Sequence, residues 1–111
     1  MDTVSVFHID PNQLFREGLR QLLRDSHFNM AGQATSLPEG LRQIANDVPS
    51  MVVIDFNGNG ETLSAFMDGL DDVKPKPRVV VLTEEFCLNS LTAALCEGVD
   101  GYLLKSMSPG A

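Results

Sequence analysis

The chain has 111 residues, is 43% hydrophobic and carries a formal charge of −7, from fifteen acidic and eight basic residues. This length suits one domain with one core, and no apolar run approaches the roughly 18 residues of a membrane span. The negative charge argues against direct binding to nucleic acid. Because there are two cysteines and no secretory signal at the N-terminus, we expect a cytoplasmic protein with reduced thiols.

The first third of the chain predicts two strands joined by a helix. Residues 4–9 are mostly apolar and form a strand that ends at Asp10, with His8 inside it as a packed sheet residue. Asn12 can cap the helix that follows. The apolar stripe of that helix is Phe15, Leu19, Leu22 and Leu23. A short second strand is predicted over Met30–Ala34.

The central strand is the clearest element of the sequence. It is preceded by a second helix, which opens with capping-box spacing at Ser36–Glu39 and ends before Pro49. The apolar positions of that helix are Leu37, Leu41, Ile44, Ala45 and Val48. Met51–Ile54 is then an unbroken apolar run that stops at Asp55. Such a run predicts a strand that is buried on both faces of a parallel sheet.

The second half repeats the same alternation. A third helix is predicted from Leu63, Phe66, Met67 and Leu70. Two prolines make residues 71–77 a loop, and Arg78–Thr83 is a second doubly buried strand. A fourth helix has the stripe Leu88, Leu91, Ala94 and Leu95. Gly98 is placed to end it, and Tyr102–Lys105 is the fifth strand.

Strands and helices therefore alternate along the whole chain, from a first strand to a fifth. This order predicts an α/β domain with a parallel sheet and right-handed crossovers. Five strands suit a flavodoxin-like, doubly wound sheet with the strand order 2-1-3-4-5.

Four of the five strands end in a polar residue, and the carboxyl ends of parallel strands share one edge of the sheet. These residues are Asp10, Asp55, Thr83 and Lys105. Two carboxylates can hold Mg²⁺, which prefers oxygen ligands. A hydroxyl and an ammonium group can bind phosphoryl oxygens, and a carboxylate can act as a nucleophile that forms an aspartyl phosphate.

Two other classes of protein share parts of this pattern. A phosphatase of the haloacid-dehalogenase type also uses an aspartate nucleophile at a strand end. It needs a second aspartate two positions later, where this chain has Asn57, which is a poor general acid. A nucleotide- or flavin-binding module would carry a glycine-rich loop after the first strand, and the sequence there is Asp10-Pro11-Asn12-Gln13.

Several segments together resemble the receiver domain of bacterial two-component response regulators, in particular the kind that precedes a LuxR-type helix-turn-helix domain. They are Val6–Asp10, Leu14–Leu19, Val52–Asp55, Val79–Thr83 and Gly98–Lys105. The likeness runs from about Val4 to Pro109, nearly the whole chain. It implies the CheY-like version of the fold described above.

The resemblance also implies roles for single residues. Asp55 matches the phosphoacceptor that takes its phosphoryl group from a histidine kinase. The implied Mg²⁺ ligands are Asp10, Asp55 and the backbone carbonyl of Asn57. Thr83 matches the switch hydroxyl, Lys105 the counter-ion of the phosphoryl group, and Tyr102 the aromatic residue that changes rotamer between the two states.

Two positions depart from the family pattern. The acidic pair should continue at the residue after Asp10, which is Pro11, and the residue after Thr83 is usually small but here is Glu84. Proline has no side-chain oxygen, so we expect a weakened Mg²⁺ site. The resemblance therefore leaves two versions open. One is a working phosphoswitch, and the other is an atypical receiver regulated by dimerisation, a small ligand or a protein partner.

The expected organisation follows from the same resemblance. Residues 1–111 form a receiver-like domain at the amino-terminal end of a longer regulator. The family's fifth helix is missing after Lys105, and a helix-turn-helix output domain is expected further on. We expect a homodimer that acts in signalling and is not an enzyme in the ordinary sense. It would touch DNA only through the output domain and would not contact a membrane.

Overall fold

A computed structural model of the chain describes residues 3–56 and 60–106. The five strands are β1 (Val4–Ile9), β2 (Phe28–Ala34), β3 (Met51–Asp55), β4 (Arg78–Thr83) and β5 (Gly101–Leu104). The four helices are α1 (Gln13–Leu23), α2 (Leu37–Asn46), α3 (Gly60–Leu70) and α4 (Leu88–Cys96). Asn57, a predicted metal-binding position, lies outside the described residues.

The strands form one parallel sheet in the order β2-β1-β3-β4-β5. This confirms the predicted α/β fold and its strand order. β3 lies at the centre, and its residues Val52, Val53 and Ile54 are buried, as the unbroken apolar run indicated. β2 begins two residues earlier than predicted, at Phe28, because it pairs with β1 from Val4 onward.

The two faces of the sheet are covered unequally. α2, α3 and α4 pack on the face that carries Phe7, Ile9 and Val81, and this side holds the main apolar core. α1 lies on the opposite face, against His8, and has no fully buried residue. On that face β4 is only half-buried at Val80 and Leu82, and Leu103 of β5 is 44% exposed. The prediction that both faces of β4 are buried was therefore wrong, since α1 covers only part of its side.

Local sequence signals set most helix ends. The side chain of Asn12 accepts a hydrogen bond from the Phe15 N–H, which caps α1 as predicted. Ser36 accepts from the Glu39 N–H, so half of the predicted capping box is present. The Glu39 carboxylate instead accepts from the Thr35 hydroxyl.

The sequence predicted the buried face of α3 correctly and the buried faces of α2 and α4 only in part. All four apolar residues assigned to α3 are buried: Leu63, Phe66, Met67 and Leu70. In α4 the prediction was right for Ala94, which is buried, but wrong for Leu88 and Leu95, because the helix buries Ser90 on that face instead. Leu88 and Leu95 are 66% and 60% exposed. Ala45 of α2 is also exposed, contrary to its place in the predicted stripe.

Close packing of α2 on the sheet depends on a glycine, which gives a test of the fold. A Cβ at Gly40 would lie 2.3 Å from Cδ1 and 2.8 Å from Cγ1 of Ile9, a side chain that is 2% exposed. We expect Gly40→Ala to lower the free energy of unfolding by about 1–3 kcal/mol, since the buried isoleucine cannot move aside. Urea denaturation measures this change.

Gly18→Ala in α1 is the matched control. A Cβ at Gly18 meets nothing within 4 Å, so the better helix propensity of alanine should raise stability by about 0.5–1 kcal/mol. The two substitutions should thus act in opposite directions. A Gly40→Ala variant as stable as the parent chain would contradict the close packing of α2.

Candidate functional site

The carboxyl ends of β1, β3 and β5 bring three of the predicted site residues together. Asp10 follows β1, Asp55 is the last residue of β3 and Lys105 follows β5. The Lys105 N–H donates to the carbonyl of Thr83 at 2.7 Å, which holds the lysine against the end of β4. The parallel register therefore places an amine from one side of the sheet beside carboxylates from strands nearer its centre.

Lys105 bridges the two carboxylates. Its Nζ lies 2.8 Å from Oδ2 of Asp10 and 2.9 Å from Oδ1 of Asp55. The side chains are 9%, 1% and 9% exposed for Lys105, Asp10 and Asp55, so water screens these contacts little. Burial by itself lowers the pKa of Lys105, but the contacts with Asp10 and Asp55 outweigh it and raise that pKa. The ammonium is therefore charged at physiological pH.

Asp10 is fixed from several directions. Its Oδ1 accepts the backbone N–H of Asn12 at 2.8 Å. Its Oδ2 makes the ion pair with Lys105. The guanidinium of Arg16 donates to its backbone carbonyl. Arg16 lies outside the predicted apolar stripe of α1, and its side chain reaches back to the end of β1.

His8 and Phe15 form the floor of the site. His8 is fully buried, and its ring meets the ring of Phe15 edge to face at 5.7 Å, as expected for a packed sheet residue. The Nζ of Lys105 stands 4.4 Å from the centroid of the same Phe15 ring, within cation–π range. Burial lowers the pKa of His8 to about 4, although Asp10 partly offsets it, so the ring is neutral at pH 7.

The model of the response regulator receiver domain family matches residues 6–111. The chain belongs to this family. A nitrate/nitrite response regulator protein homolog from Haemophilus influenzae is 29% identical over 97% of this chain and 52% of that protein. The nitrate/nitrite response regulator protein NarL of Escherichia coli K12 is 27% identical over 97% of this chain and 50% of its own length. The receiver domain thus spans about half the length of the curated relatives it matches.

Solved structures show the same fold. The signal receiver domain of the putative response regulator NarL from Mycobacterium tuberculosis superposes with a TM-score of 0.85 at 23% identity, over 99% of this chain and 90% of that one. A two-component response regulator of the LuxR family from Aurantimonas superposes with a TM-score of 0.82 at 23% identity, over 98% of this chain and 79% of that one. These similarities confirm the CheY-like architecture of the receiver domain.

Two further predicted site residues, Thr83 and Tyr102, lie on β4 and β5. Thr83 is 3% exposed, and its hydroxyl donates to the carbonyl of Glu85 at 3.2 Å within the loop after β4. Glu84 beside it is exposed. Tyr102 is half-buried against the core, and within the described part of the chain its buried hydroxyl has no hydrogen-bond partner.

Asp55 and Thr83 line two different surface pockets. Asp55 lines one of about 210 Å³, together with Pro11, Ser36 and Thr62. Thr83 lines one of about 330 Å³ with Glu84, Cys87 and Ser90.

The described residues fit a Mg²⁺ ion only in part. Asp10 and Asp55 are close enough to share one cation, but the ammonium of Lys105 is the cation they share. Pro11 supplies no side-chain oxygen. Among the side chains that the structure describes, no three acidic, histidine or cysteine residues are grouped as a metal site would require. No helix in those ranges is long and apolar enough to cross a membrane.

The buried neutral His8 makes stability depend on pH. Its pKa is about 4 when folded and about 6.5 when unfolded. As pH falls from 6.5 to 4, the unfolded chain takes up a proton that the folded chain excludes. We expect the free energy of unfolding to fall by on the order of 2 kcal/mol over this range.

Urea denaturation of the parent chain and of His8→Leu across this pH range measures the effect. Other groups that titrate in the same range act equally in both chains. The stability of the parent relative to His8→Leu should therefore decrease steadily as pH falls. A constant difference between the two chains would show that His8 is not held neutral by burial.

Proposed function

We propose that this receiver domain accepts a phosphoryl group on Asp55 from a histidine kinase and thereby controls a DNA-binding output domain. The observation that carries the proposal is the ion pair between Lys105 and the Asp55 carboxylate. Asp55 also lines a surface pocket together with Pro11. The lysine orients the carboxylate and supplies a positive charge where the phosphoryl oxygens would lie.

The reaction proposed for Asp55 is a nucleophilic displacement at phosphorus. A carboxylate oxygen forms a bond to phosphorus while the bond from phosphorus to the kinase histidine breaks and leaves its electron pair on the ring nitrogen. A proton taken up from water by the ring lets the imidazole leave as the neutral group. The acceptor and the donor both carry negative charge, so the reaction needs positive charge at the site. Lys105 supplies one such charge in this chain. A Mg²⁺ ion held by Asp10, Asp55 and the backbone carbonyl of Asn57 would supply the rest.

Thr83 and Tyr102 are the proposed switch residues. Thr83 lies at the end of β4, and its carbonyl accepts the Lys105 N–H. This hydrogen bond joins the two backbones, so a movement of the Lys105 backbone would be transmitted to Thr83. Among the described residues the buried hydroxyl of Tyr102 has no hydrogen-bond partner, which costs free energy in this rotamer and favours a rotamer in which the hydroxyl reaches water.

The proposed protein is longer than this domain. The chain spans about half the length of its curated relatives, and β4 and β5 are incompletely covered on the side of α1. We infer that a further helix covers that surface, that a helix-turn-helix domain follows, and that the regulator acts as a cytoplasmic homodimer. The charge of −7 supports a receiver domain that modulates DNA binding without touching DNA.

A second function, regulation without phosphorylation, is favoured by one observation. Both carboxylate oxygens of Asp10 are already engaged, by Asn12 and by Lys105, and Pro11 stands where the family has its second acid. In that case the exposed Leu88 and Leu95 of α4 would contact a partner or a second copy without any chemical step at Asp55.

Intact mass after incubation with acetyl phosphate and Mg²⁺ separates the two functions. We expect the parent chain to gain the mass of one phosphoryl group, slowly because the cation site is incomplete. Asp55→Asn should gain none, since an amide is not a nucleophile here. A parent chain that stays unmodified at long times and high donor concentration would favour regulation without phosphorylation.

The Mg²⁺ site gives a separate test through Pro11→Asp. Restoring one carboxylate contact should tighten Mg²⁺ binding by about tenfold to a hundredfold, and phosphorylation should become faster. Calorimetric titration with Mg²⁺ measures the affinity without requiring the chemical step. A well-folded Pro11→Asp chain with the Mg²⁺ affinity of the parent would show that the proline does not limit the site.

A further inference from the structure

Asp10, Pro11 and Asn12 form a tight turn at the end of β1. The side-chain Oδ1 of Asp10 accepts the backbone N–H of Asn12, two residues further on, at 2.8 Å. This is an Asx turn, in which a carboxylate oxygen takes the place of a backbone carbonyl. Pro11 is its middle residue. A proline fixes its own φ and keeps the preceding residue extended, so it restricts two of the three backbone torsions that close the turn.

Every polar group of Asp10 has a partner in this arrangement. Its backbone N–H donates to the carbonyl of Ala34 at 3.0 Å, and its carbonyl accepts from the guanidinium of Arg16. Oδ1 is held in the turn, and Oδ2 makes the ion pair with Lys105 at 2.8 Å. The side chain is 1% exposed, so water cannot take over a contact that is lost. A carboxylate that turned away from this position would give up at least one of these contacts.

The spacing of the two carboxylates suits an ammonium group better than Mg²⁺. Nζ of Lys105 lies 2.8 Å from Oδ2 of Asp10 and 2.9 Å from Oδ1 of Asp55. Mg²⁺ holds its oxygen ligands at about 2.0–2.1 Å in a nearly ideal octahedron, whereas Ca²⁺ accepts about 2.3–2.6 Å and a less regular geometry. A directly bound Mg²⁺ ion therefore needs each carboxylate to lie about 0.8 Å closer to it than to Nζ, and Ca²⁺ needs only about half of that approach.

Both ways in which Asp10 can serve Mg²⁺ act against the Asx turn. Through Oδ2, the carboxylate must move toward the ion and away from the N–H of Asn12. Through Oδ1, the ion must replace that N–H, because two positively polarised partners repel each other at one oxygen. The turn therefore has to open, in whole or in part, before Asp10 becomes a direct ligand.

We propose that Pro11 is a positioning residue, which stiffens the Asx turn and so holds the Asp10 carboxylate at a distance that suits Lys105 and is too long for Mg²⁺. The inference rests on the Mg²⁺ site of the proposed function. Pro11 thus weakens that site twice, since it brings no carboxylate of its own and also withholds the one that remains. Asp10 still binds Mg²⁺ once the turn opens, and the affinity is reduced by the fraction of chains in which the turn is open.

Pro11→Ala tests the stiffness of the turn apart from the missing ligand, because alanine adds no oxygen. A proline in a compatible position changes such an equilibrium by a factor of about two to five. We expect Pro11→Ala to bind Mg²⁺ about two- to fivefold more tightly than the parent chain in a calorimetric titration. Pro11→Asp, which also adds a ligand, should bind it more tightly still. Pro38→Ala, which removes an exposed proline from the start of α2, should bind Mg²⁺ as the parent does.

Ca²⁺ provides a control for the size argument. Because Ca²⁺ requires a smaller approach of the carboxylates, opening the turn helps it less. Pro11→Ala should therefore raise the affinity for Mg²⁺ by a larger factor than the affinity for Ca²⁺. A general change in the charge or stability of the site would alter both affinities alike.

The parent chain gives a further readout by NMR, which covers variants that fail to fold. On saturation with Mg²⁺, the amide proton of Asn12 should shift upfield and exchange faster with solvent, because it loses its bond to a carboxylate. The amide of Val79 is the matched control, since it donates to the carboxylate of Asp100 at the same distance of 2.8 Å and should stay unchanged.

An Mg²⁺ affinity of Pro11→Ala equal to that of the parent would overturn the inference, and so would equal gains for Mg²⁺ and Ca²⁺. An unchanged Asn12 amide in a parent chain that binds Mg²⁺ would overturn it as well. Each of these results leaves the proposed function in place if Asp55 is phosphorylated by acetyl phosphate. If neither the parent nor Pro11→Asp bound Mg²⁺, the proposed Mg²⁺ site would be refuted and the inference with it.

Discussion

The bridge from Lys105 to Asp10 and Asp55 is the interaction on which the site depends. Two carboxylates at the ends of adjacent strands repel each other, and burial strengthens that repulsion. One ammonium between them removes most of it. The arrangement requires that β1, β3 and β5 keep their register, because the amine comes from the far edge of the sheet. The chemistry of the site is thus tied to the pairing of strands that the core holds together.

The surroundings of this bridge explain why a lysine can stay charged in a nearly closed pocket. Asp10 is anchored through its other oxygen by a backbone N–H, and the face of the Phe15 ring lies below the ammonium. Such fixed groups replace part of the hydration that the lysine loses. A charged group buried without them would be expected to lose its proton. The receiver domain therefore carries a buried positive charge at the carboxyl edge of its sheet.

The sequence predicted the elements better than the contacts between them. The unbroken run before Asp55 predicted β3 correctly, and the four apolar positions of α3 are all buried. In α4 the predicted buried stripe contained Ala94, which is buried, but also Leu88 and Leu95, which are exposed, while Ser90 outside that stripe is buried. Hydrophobicity cannot distinguish two stripes on one short helix when small residues allow the closer approach.

The parts of the site that were missed depend on three-dimensional contacts. Arg16 is not part of the apolar stripe predicted for α1, and nothing in the sequence pattern indicates that its side chain reaches the backbone of Asp10. His8 was expected to be packed and is, yet no pattern in the sequence places its ring nitrogen 3.9 Å from a carboxylate. Each contact spans only two to six positions, but it requires the strand and the helix to be docked first.

The way α4 packs has a mechanical consequence. A helix held by a serine and an alanine, with its larger leucines turned outward, buries little apolar area per turn and has few interlocking side chains to resist sliding. Its first residue follows Cys87, which makes no side-chain cap. Of the three helices on that face, α4 is the one whose described buried residues are all small, so we expect it to rotate about its own axis more easily than α2 or α3. A small rotation of α4 would change which of its residues are exposed to solvent. The same helix could then present a polar or an apolar surface without unfolding.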